Sequence, residues 1–312
     1  MKKITNNFFI NDISDIVNFR WFYSMSVDCF DSSVSHLDEF KNINTRPKIF
    51  DFFRLICNPN GTFVNKNIDC NVFCKPECLV FLYENKEKFN LEENKNEILI
   101  VAGGDDHLSV HINTLKKLKP YFSKIFYEAK NIKCDWISII PMGNIYIYML
   151  ANGGNRILDY INSQKNKNQL IGHAFGAKWP RLSRKLTDRR SLLKFSKQNS
   201  FMKNFFCDPL EYYQKLSEFK FFATPLGTGI QTPKICESIM CETIPVVTDH
   251  VSYRELKKYG IPLLIVKKWE HINEKMLLES LNTEFCNINW VNVKSLYKID
   301  GFVKKFLKKE PE

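Results

Sequence analysis

The sequence predicts an α/β protein made of two domains, each built on a mostly parallel sheet. The chain has 312 residues, which is about twice the length of an ordinary domain. Short apolar runs alternate along it with segments of helical character, as a parallel, doubly wound sheet requires. At residues 224–237 a Gly-containing loop opens a capped helix, an arrangement typical of nucleotide-binding α/β folds.

In the first half the clearest strand is the apolar run at 98–102, which ends in Gly103-Gly104-Asp105-Asp106. A continuous apolar run that ends in a glycine-containing loop is typical of a buried parallel strand. Residues 1–97 give only mixed short elements, with a turn at 58–61. The predicted elements are strands at 98–102, 124–127 and 136–140 and a helix at 107–119 that Pro120 stops.

The second half repeats the alternation after a stretch at 152–168 that is rich in Gly, Asn and Lys, where we place the domain junction. Its central strand breaks at Pro225. Thr232 then caps a helix whose first residue is Pro233, because Thr is a favoured N-cap and Pro fits the first helical position. The predicted elements are strands at 170–175, 219–223, 244–247 and 263–266 and helices at 182–197 and 233–241.

The composition limits the partners of the chain. The net charge is +11 and the pI is near 9.0, which favours anionic partners such as nucleotides, phosphorylated substrates, nucleic acid or a membrane surface. The charge is spread along the chain without a long basic block, so we do not expect nucleic-acid binding as the main role. Residues 1–17 lack the apolar core of a signal peptide and no apolar stretch spans a bilayer, which predicts a cytoplasmic protein without a transmembrane segment.

The ten cysteines follow no pairing pattern, which predicts free thiols in a chain without an export signal. One cluster, Cys70, Cys74 and Cys78, has three residues between neighbours. This spacing is not a usual zinc or iron–sulfur pattern, and Pro76 keeps the three thiols from lining one helix face. We therefore expect unpaired, partly buried thiols there.

Residues 224–237 carry the features of an anion site. Their two glycines let the backbone approach a ligand closely, and the helix that begins near Pro233 directs its free amides and positive dipole end towards that ligand. A diphosphate at such a helix start is a recurring arrangement. Lys234 adds a positive charge, and Glu237 can accept hydrogen bonds from sugar hydroxyls. The alternative is that the glycines only form a turn and that Glu237 is solvated, because a single Gly-x-Gly is weak evidence.

The motifs of the second half lie in a recognisable order. They are Tyr213-x-x-Leu216-Ser217-x-Phe219-x-Phe221-x-x-Thr224-Pro225-x-Gly227-x-Gly229, Lys234-x-x-Glu237 and Ile244-Pro245-Val246-Val247, preceded by Ala174-Phe175-Gly176-Ala177 and Arg189-Arg190-x-x-Leu193. This order resembles the donor-binding half of exostosin-like glycosyltransferases, family 47 of that enzyme class. Gly103-Gly104-Asp105-Asp106-His107 is similar to a Gly-x-Asp-His segment of the family's first domain. Lys234 stands where the family usually has Arg, which keeps the charge but not the bidentate geometry.

The resemblance implies a GT-B fold, in which two Rossmann-like domains face each other across a cleft. It also implies inverting transfer of a sugar from a UDP- or GDP-linked donor to a glycan or other hydroxyl acceptor, without a metal or other cofactor. We place an acceptor-side domain at 1–155, a nucleotide-sugar domain at 156–290 and a basic helix, packed on the first domain, at 291–312. The predicted donor-binding residues are Arg190, Arg189, Pro225, Gly227, Thr228, Gly229, Thr232, Lys234, Glu237, Asp249 and His250.

Sugar transfer also needs a base that deprotonates the acceptor hydroxyl. We expect it from the first domain, at the carboxyl end of a strand, where the predicted catalytic residues are Asp106, His107 and Asp105. The alternatives are that one Asp only caps the following helix and that His107 only packs. A metal site at His107 and His111 has no evident third ligand.

Other functions stay open at this stage. A different transferase or phosphate-ligand enzyme can use the same scaffold, because a fold does not determine its chemistry. A non-catalytic nucleotide- or carbohydrate-binding protein can keep the cleft without the base. A basic nucleic-acid-binding protein would need clustered charge, which the sequence lacks.

Overall fold

The structure is a computed structural model with two mostly parallel sheets and flanking helices, which confirms the α/β class. It describes residues 9–17, 19, 48–59, 61–65, 68, 70–93, 96–145, 149, 153–163, 165–174, 186–205, 207–226 and 230–307. Within these residues every helix is too short or too polar to cross a bilayer.

The first sheet has six strands in the order β2-β1-β3-β4-β5-β6. They are β1 (Leu55–Asn58), β2 (Gly61–Val64), β3 (Val72–Cys74), β4 (Ile98–Val101), β5 (Lys124–Tyr127) and β6 (Ile137–Ile139), with helices α1 (Leu79–Glu84) and α2 (Leu108–Leu118). β1 and β2 pair antiparallel across the predicted turn, and the other neighbours pair parallel. From β1 the strand order advances in one direction. The described strands of this half therefore lack the reversal of a doubly wound sheet.

The second sheet has five parallel strands in the order β11-β10-β9-β7-β8. They are β7 (Gln169–His173), β8 (Met202–Asn204), β9 (Phe219–Ala223), β10 (Ile244–Thr248) and β11 (Leu264–Val266). β7 comes first along the chain but lies between β8 and β9, so the strand order reverses between β7 and β9. Open α/β sheets bind ligands at the carboxyl ends of the strands at such a reversal.

The described part of the chain has eight further helices, which flank the sheets or follow them. They are α3 (Ile157–Asn162), α4 (Leu186–Gln198), α5 (Tyr212–Ser217), α6 (Pro233–Met240), α7 (Val251–Lys258), α8 (Glu274–Asn282), α9 (Trp290–Ser295) and α10 (Ile299–Phe302), followed by a π-helical turn at Val303–Leu307. The predicted helix after Thr232 is confirmed, and it begins at Pro233.

The C-terminal segment contacts the first sheet through aromatic rings. The ring centroid of Phe306 lies 5.7 Å from that of Phe126 in β5. Phe302 lies 5.4 Å from Phe19, which stacks on Phe73 of β3 at 5.8 Å. Aromatic pairs at these separations add to the stabilisation from burial alone. Residues 299–307 are thus part of the core around the first sheet.

Gln231 joins the two sheets at their carboxyl ends. It is 4% exposed, and its Nε2 donates to the carbonyls of Glu128 and Ile140, both at 2.8 Å. Its Oε1 accepts from the Met142 amide at 3.0 Å. Glu128 follows β5 and Ile140 follows β6. The Gln231 side chain therefore holds the segment just before α6 against the carboxyl edge of the first sheet.

Helix α7 docks on the same loop of the first half. The Lys130 ammonium, 3% exposed, donates to both carboxylate oxygens of Glu255 at 2.7 and 2.9 Å. The Ser252 hydroxyl donates to the Lys130 carbonyl. The Tyr253 hydroxyl donates to the Ile230 carbonyl at 2.6 Å. The starts of α6 and α7 are therefore held against the carboxyl edge of the first sheet.

Lysines surround the opposite end of α6. Lys167 Nζ donates to the Cys241 carbonyl and to Thr243 Oγ1, both at 2.7 Å, and Lys294 Nζ bonds Glu242 at 2.6 Å. Cations suit the negative end of a helix dipole. Burial, with a smaller effect of the neighbouring Lys165, lowers the pKa of Lys167 to about 7.

Replacement of Lys167 by Met should weaken the rise of stability with pH. Between pH 7 and 9 the unfolded chain holds a proton that folded Lys167 releases, so the free energy of unfolding rises with pH by at most about 1.4 kcal/mol per unit. Urea unfolding at pH 7.0, 8.0 and 9.0 measures this slope. Lys203→Met removes an exposed lysine and is the control, and equal slopes in the two variants would contradict the assignment.

Replacement of Gln231 by Ala should destabilise the protein by about 2–4 kcal/mol, because three buried backbone groups lose their partner. Urea unfolding followed by circular dichroism and tryptophan fluorescence gives the change. The control is Gln214→Ala on the exposed face of α5. If both variants lose the same stability, the hydrogen bonds of Gln231 do not stabilise the contact between the two sheets.

Candidate functional site

The candidate site lies where the strand order of the second sheet reverses, at the carboxyl ends of β7 and β9. Thr224 follows β9, and its backbone N–H and its hydroxyl both donate to the Val246 carbonyl, at 2.8 and 3.1 Å. The buried Pro225 comes next. The predicted loop residues Gly227, Thr228 and Gly229 lie outside the described residues. The described residues resume at 230, and α6 begins at Pro233.

Thr232 caps α6 without a hydrogen bond from its side chain. The residue is 7% exposed, and its Oγ1 has no hydrogen-bond partner among the described residues. A buried hydroxyl is costly unless it is paired, and the first amides of a helix also lack partners within the helix. Pro233 has no N–H, and the Ile235 amide donates to the Thr232 carbonyl at 3.1 Å. The buried Thr232 hydroxyl is thus the donor that an anionic ligand would meet at the start of α6.

Two cations flank this helix start. Lys234, in the first turn of α6, has 27% of its side chain exposed. The half-buried Arg189 of α4 donates from Nε to the Leu226 carbonyl at 3.2 Å. Burial lowers the pKa of Lys234, and the nearby Arg189 lowers it further. The neighbouring Arg190 is exposed, so of the two predicted arginines the structure brings Arg189 to the loop.

Asp188 holds this arrangement together, and the sequence did not single it out. Its Oδ2 accepts from the Leu226 amide at 2.8 Å, and its Oδ1 accepts from Trp269 Nε1 at 2.7 Å. Burial raises the pKa of its carboxyl. Its position immediately before Arg189 was the available signal, but its partners come from distant segments that only the fold brings near.

Glu237 lies behind Lys234 and is 3% exposed. Its Oε2 accepts from the Tyr212 hydroxyl at 2.7 Å. The contact of Glu237 with a ligand hydroxyl stays a prediction. The structure adds a protein partner, Tyr212, that the sequence did not indicate.

The predicted catalytic residues follow β4 in the first sheet. Asp106 Oδ2 lies 3.2 Å from His111 Nε2, and 54% of the Asp106 side chain is exposed. The Asp106 carbonyl accepts from the Tyr127 hydroxyl at 3.0 Å. The N-cap of α2 is His107, not an Asp.

Residues from both sheets meet at His107 and His250. His250, after β10, caps α7 by accepting from the Ser252 amide through Nδ1 at 3.2 Å. Burial lowers the pKa of His250, and the nearby His107 lowers it further. Both imidazoles follow carboxyl ends of parallel strands, His107 after β4 and His250 after β10. Asp249 is exposed and pairs with Arg254 Nε at 3.0 Å.

The described ranges contain no group of three or more His, Cys, Asp or Glu side chains that could hold a metal ion. Cys57, Cys74 and Cys78 are buried free thiols, and burial raises the pKa of Cys74 and Cys78. Cys70 is half-buried.

No protein-family model matches the chain, and no curated protein matches it. The resemblance to exostosin-like glycosyltransferases thus rests on the motifs quoted above.

Proposed function

We propose that the chain is a glycosyltransferase that holds the diphosphate of a UDP- or GDP-linked sugar at the start of α6. One observation carries this proposal. The cap hydroxyl of Thr232 is buried without a partner among the described residues. Lys234 is in the first turn of the same helix, and Arg189 bonds the Leu226 carbonyl in the segment that leads to it. A ligand with several oxygens and more than one negative charge satisfies this set of donors.

The surrounding charges favour a diphosphate. The positive end of the helix dipole and two cations act on the same place, where low solvent exposure strengthens each interaction. Each cation has a carboxylate nearby: Glu237 Oε2 lies 3.9 Å from Lys234 Nζ and accepts from Tyr212, and Asp188, next to Arg189, accepts from Leu226 and Trp269. The Lys234 ammonium has three N–H groups and donates one of them to the Tyr212 hydroxyl. It can therefore also donate to a ligand at the start of α6.

The transfer we propose is a single displacement with inversion. A base takes the proton of the acceptor hydroxyl as its oxygen attacks the anomeric carbon. The bond from that carbon to the phosphate oxygen breaks, and the nucleoside diphosphate leaves with the electron pair. Asp106 is our candidate base, because its carboxylate is exposed and His111 lies beside it. His107, near His250, is the second candidate.

Replacement of Lys234 or Arg189 by Met should weaken binding of UDP or GDP by about tenfold or more, because each change removes a charged partner of the diphosphate. Isothermal titration without added metal measures the affinity. The control is Lys194→Met, which removes an exposed cation one turn along α4. If neither nucleotide binds the wild-type chain, the proposal fails.

Replacement of Asp106 by Asn should lower turnover by about 10²–10⁴-fold and leave the affinity for the nucleoside diphosphate unchanged, since only the base is lost. Hydrolysis of UDP- and GDP-linked sugars, with and without oligosaccharide acceptors, gives the rate. Asp135→Asn changes an exposed residue and is the control. A wild-type chain that binds the nucleotide but cleaves no donor favours a non-catalytic binding protein.

A further inference from the structure

A buried hydrogen-bonded triad lies behind the candidate anion site. Tyr212 of α5 is 8% exposed and Glu237 of α6 is 3% exposed. The Tyr212 hydroxyl donates to Glu237 Oε2 at 2.7 Å and accepts from Lys234 Nζ at 3.2 Å. Lys234 Nζ lies 3.9 Å from the same carboxylate oxygen. One hydroxyl therefore links the ammonium to its buried counter-charge.

The ring of Tyr212 also holds the ammonium. Lys234 Nζ lies 4.6 Å from the Tyr212 centroid and 5.9 Å from that of Phe222 in β9, within the range of cation–π attraction. Burial raises the pKa of Tyr212, and so does Glu237. The hydroxyl thus keeps its proton and stays a donor to the carboxylate. This fixes the direction of both hydrogen bonds in the triad.

We propose that Tyr212 and Glu237 are positioning residues, which hold the Lys234 ammonium charged and in place at the start of α6. This inference rests on the proposed function, because its purpose is to present Lys234 to a diphosphate. Glu237 then acts through Lys234, whether or not it also contacts the ligand. Tyr212 joins the site as a residue that no sequence motif had marked.

The charges that face Lys234 come from several elements. Glu237 is on its own helix, Tyr212 on α5, Arg189 on α4 and Cys207 in the loop before α5. Burial and Arg189 lower the pKa of Lys234, and Glu237 and Cys207 raise it. Loss of the Glu237 charge therefore lowers the pKa of Lys234 further, so that the ammonium loses its proton at a lower pH.

The first test follows the titration of Lys234 itself in the full chain without ligand. Competitive labelling with acetic anhydride from pH 6 to 10, read by mass spectrometry, gives the midpoint for each lysine. Glu237→Gln should lower the Lys234 midpoint by at least about one pH unit, and Tyr212→Phe should lower it less. Glu211→Gln removes an exposed carboxylate and should not move it. An unmoved Lys234 midpoint in both folded variants overturns the inference, whether or not a nucleotide binds.

The second test measures UDP or GDP affinity against pH. In Glu237→Gln the affinity should fall at a lower pH than in the wild type. Lys234→Arg keeps its charge throughout, so adding Glu237→Gln to that variant should leave the pH profile unchanged. An equal shift in the Lys234→Arg background would mean that Glu237 acts on the ligand directly and would overturn the positioning role. Tyr212→Phe, which keeps the ring, gives the same comparison if Glu237→Gln does not fold.

Discussion

The hydrogen bonds of the Gln231 amide are the constraint on which the rest of the site depends. A buried amide is stable only when its donors and acceptor are paired, and here all of its partners are backbone groups beyond β5 and β6. The residue that follows Gln231 is the cap of α6. The start of that helix thus cannot move away from the first sheet without leaving several buried polar groups unpaired.

The other contacts between the two sheets act in the same direction. Lys130 forms a buried ion pair with Glu255, and Tyr253 of α7 bonds the Ile230 carbonyl beside the start of α6. A buried pair of this kind gains little net stability over apolar packing, but loss of one partner is costly. Its effect is to make one docking of α7 on the first half strongly preferred. His250 and His107 are brought near each other by that docking.

The charges around α6 are arranged by sign. Lysines bond the groups that follow its carboxyl end, where the helix dipole is negative. At its other end the buried Thr232 hydroxyl is an unpaired donor among the described residues, and Lys234 and Arg189 add positive charge. Glu237 holds Lys234 through the Tyr212 hydroxyl. Asp188 holds the Leu226 backbone, whose carbonyl accepts from Arg189. An anionic ligand is the partner that this arrangement suits.

The sequence by itself determined the local elements and the chemistry of the α6 start. β5 and β9 were predicted with their bounds, and Thr232 and Pro233 with their helical positions, because apolar runs and cap preferences act over a few residues. β8 has a single apolar residue, Met202, and β3 lies in the segment at 1–97 where the pattern was mixed, so neither strand was recognised. Only the tertiary structure decided the one-directional order of the first sheet, the burial of Glu237 against Tyr212 and the role of Asp188. Each of these depends on partners far apart in the chain, and hydrogen bonds between such partners form only once the sheets have packed.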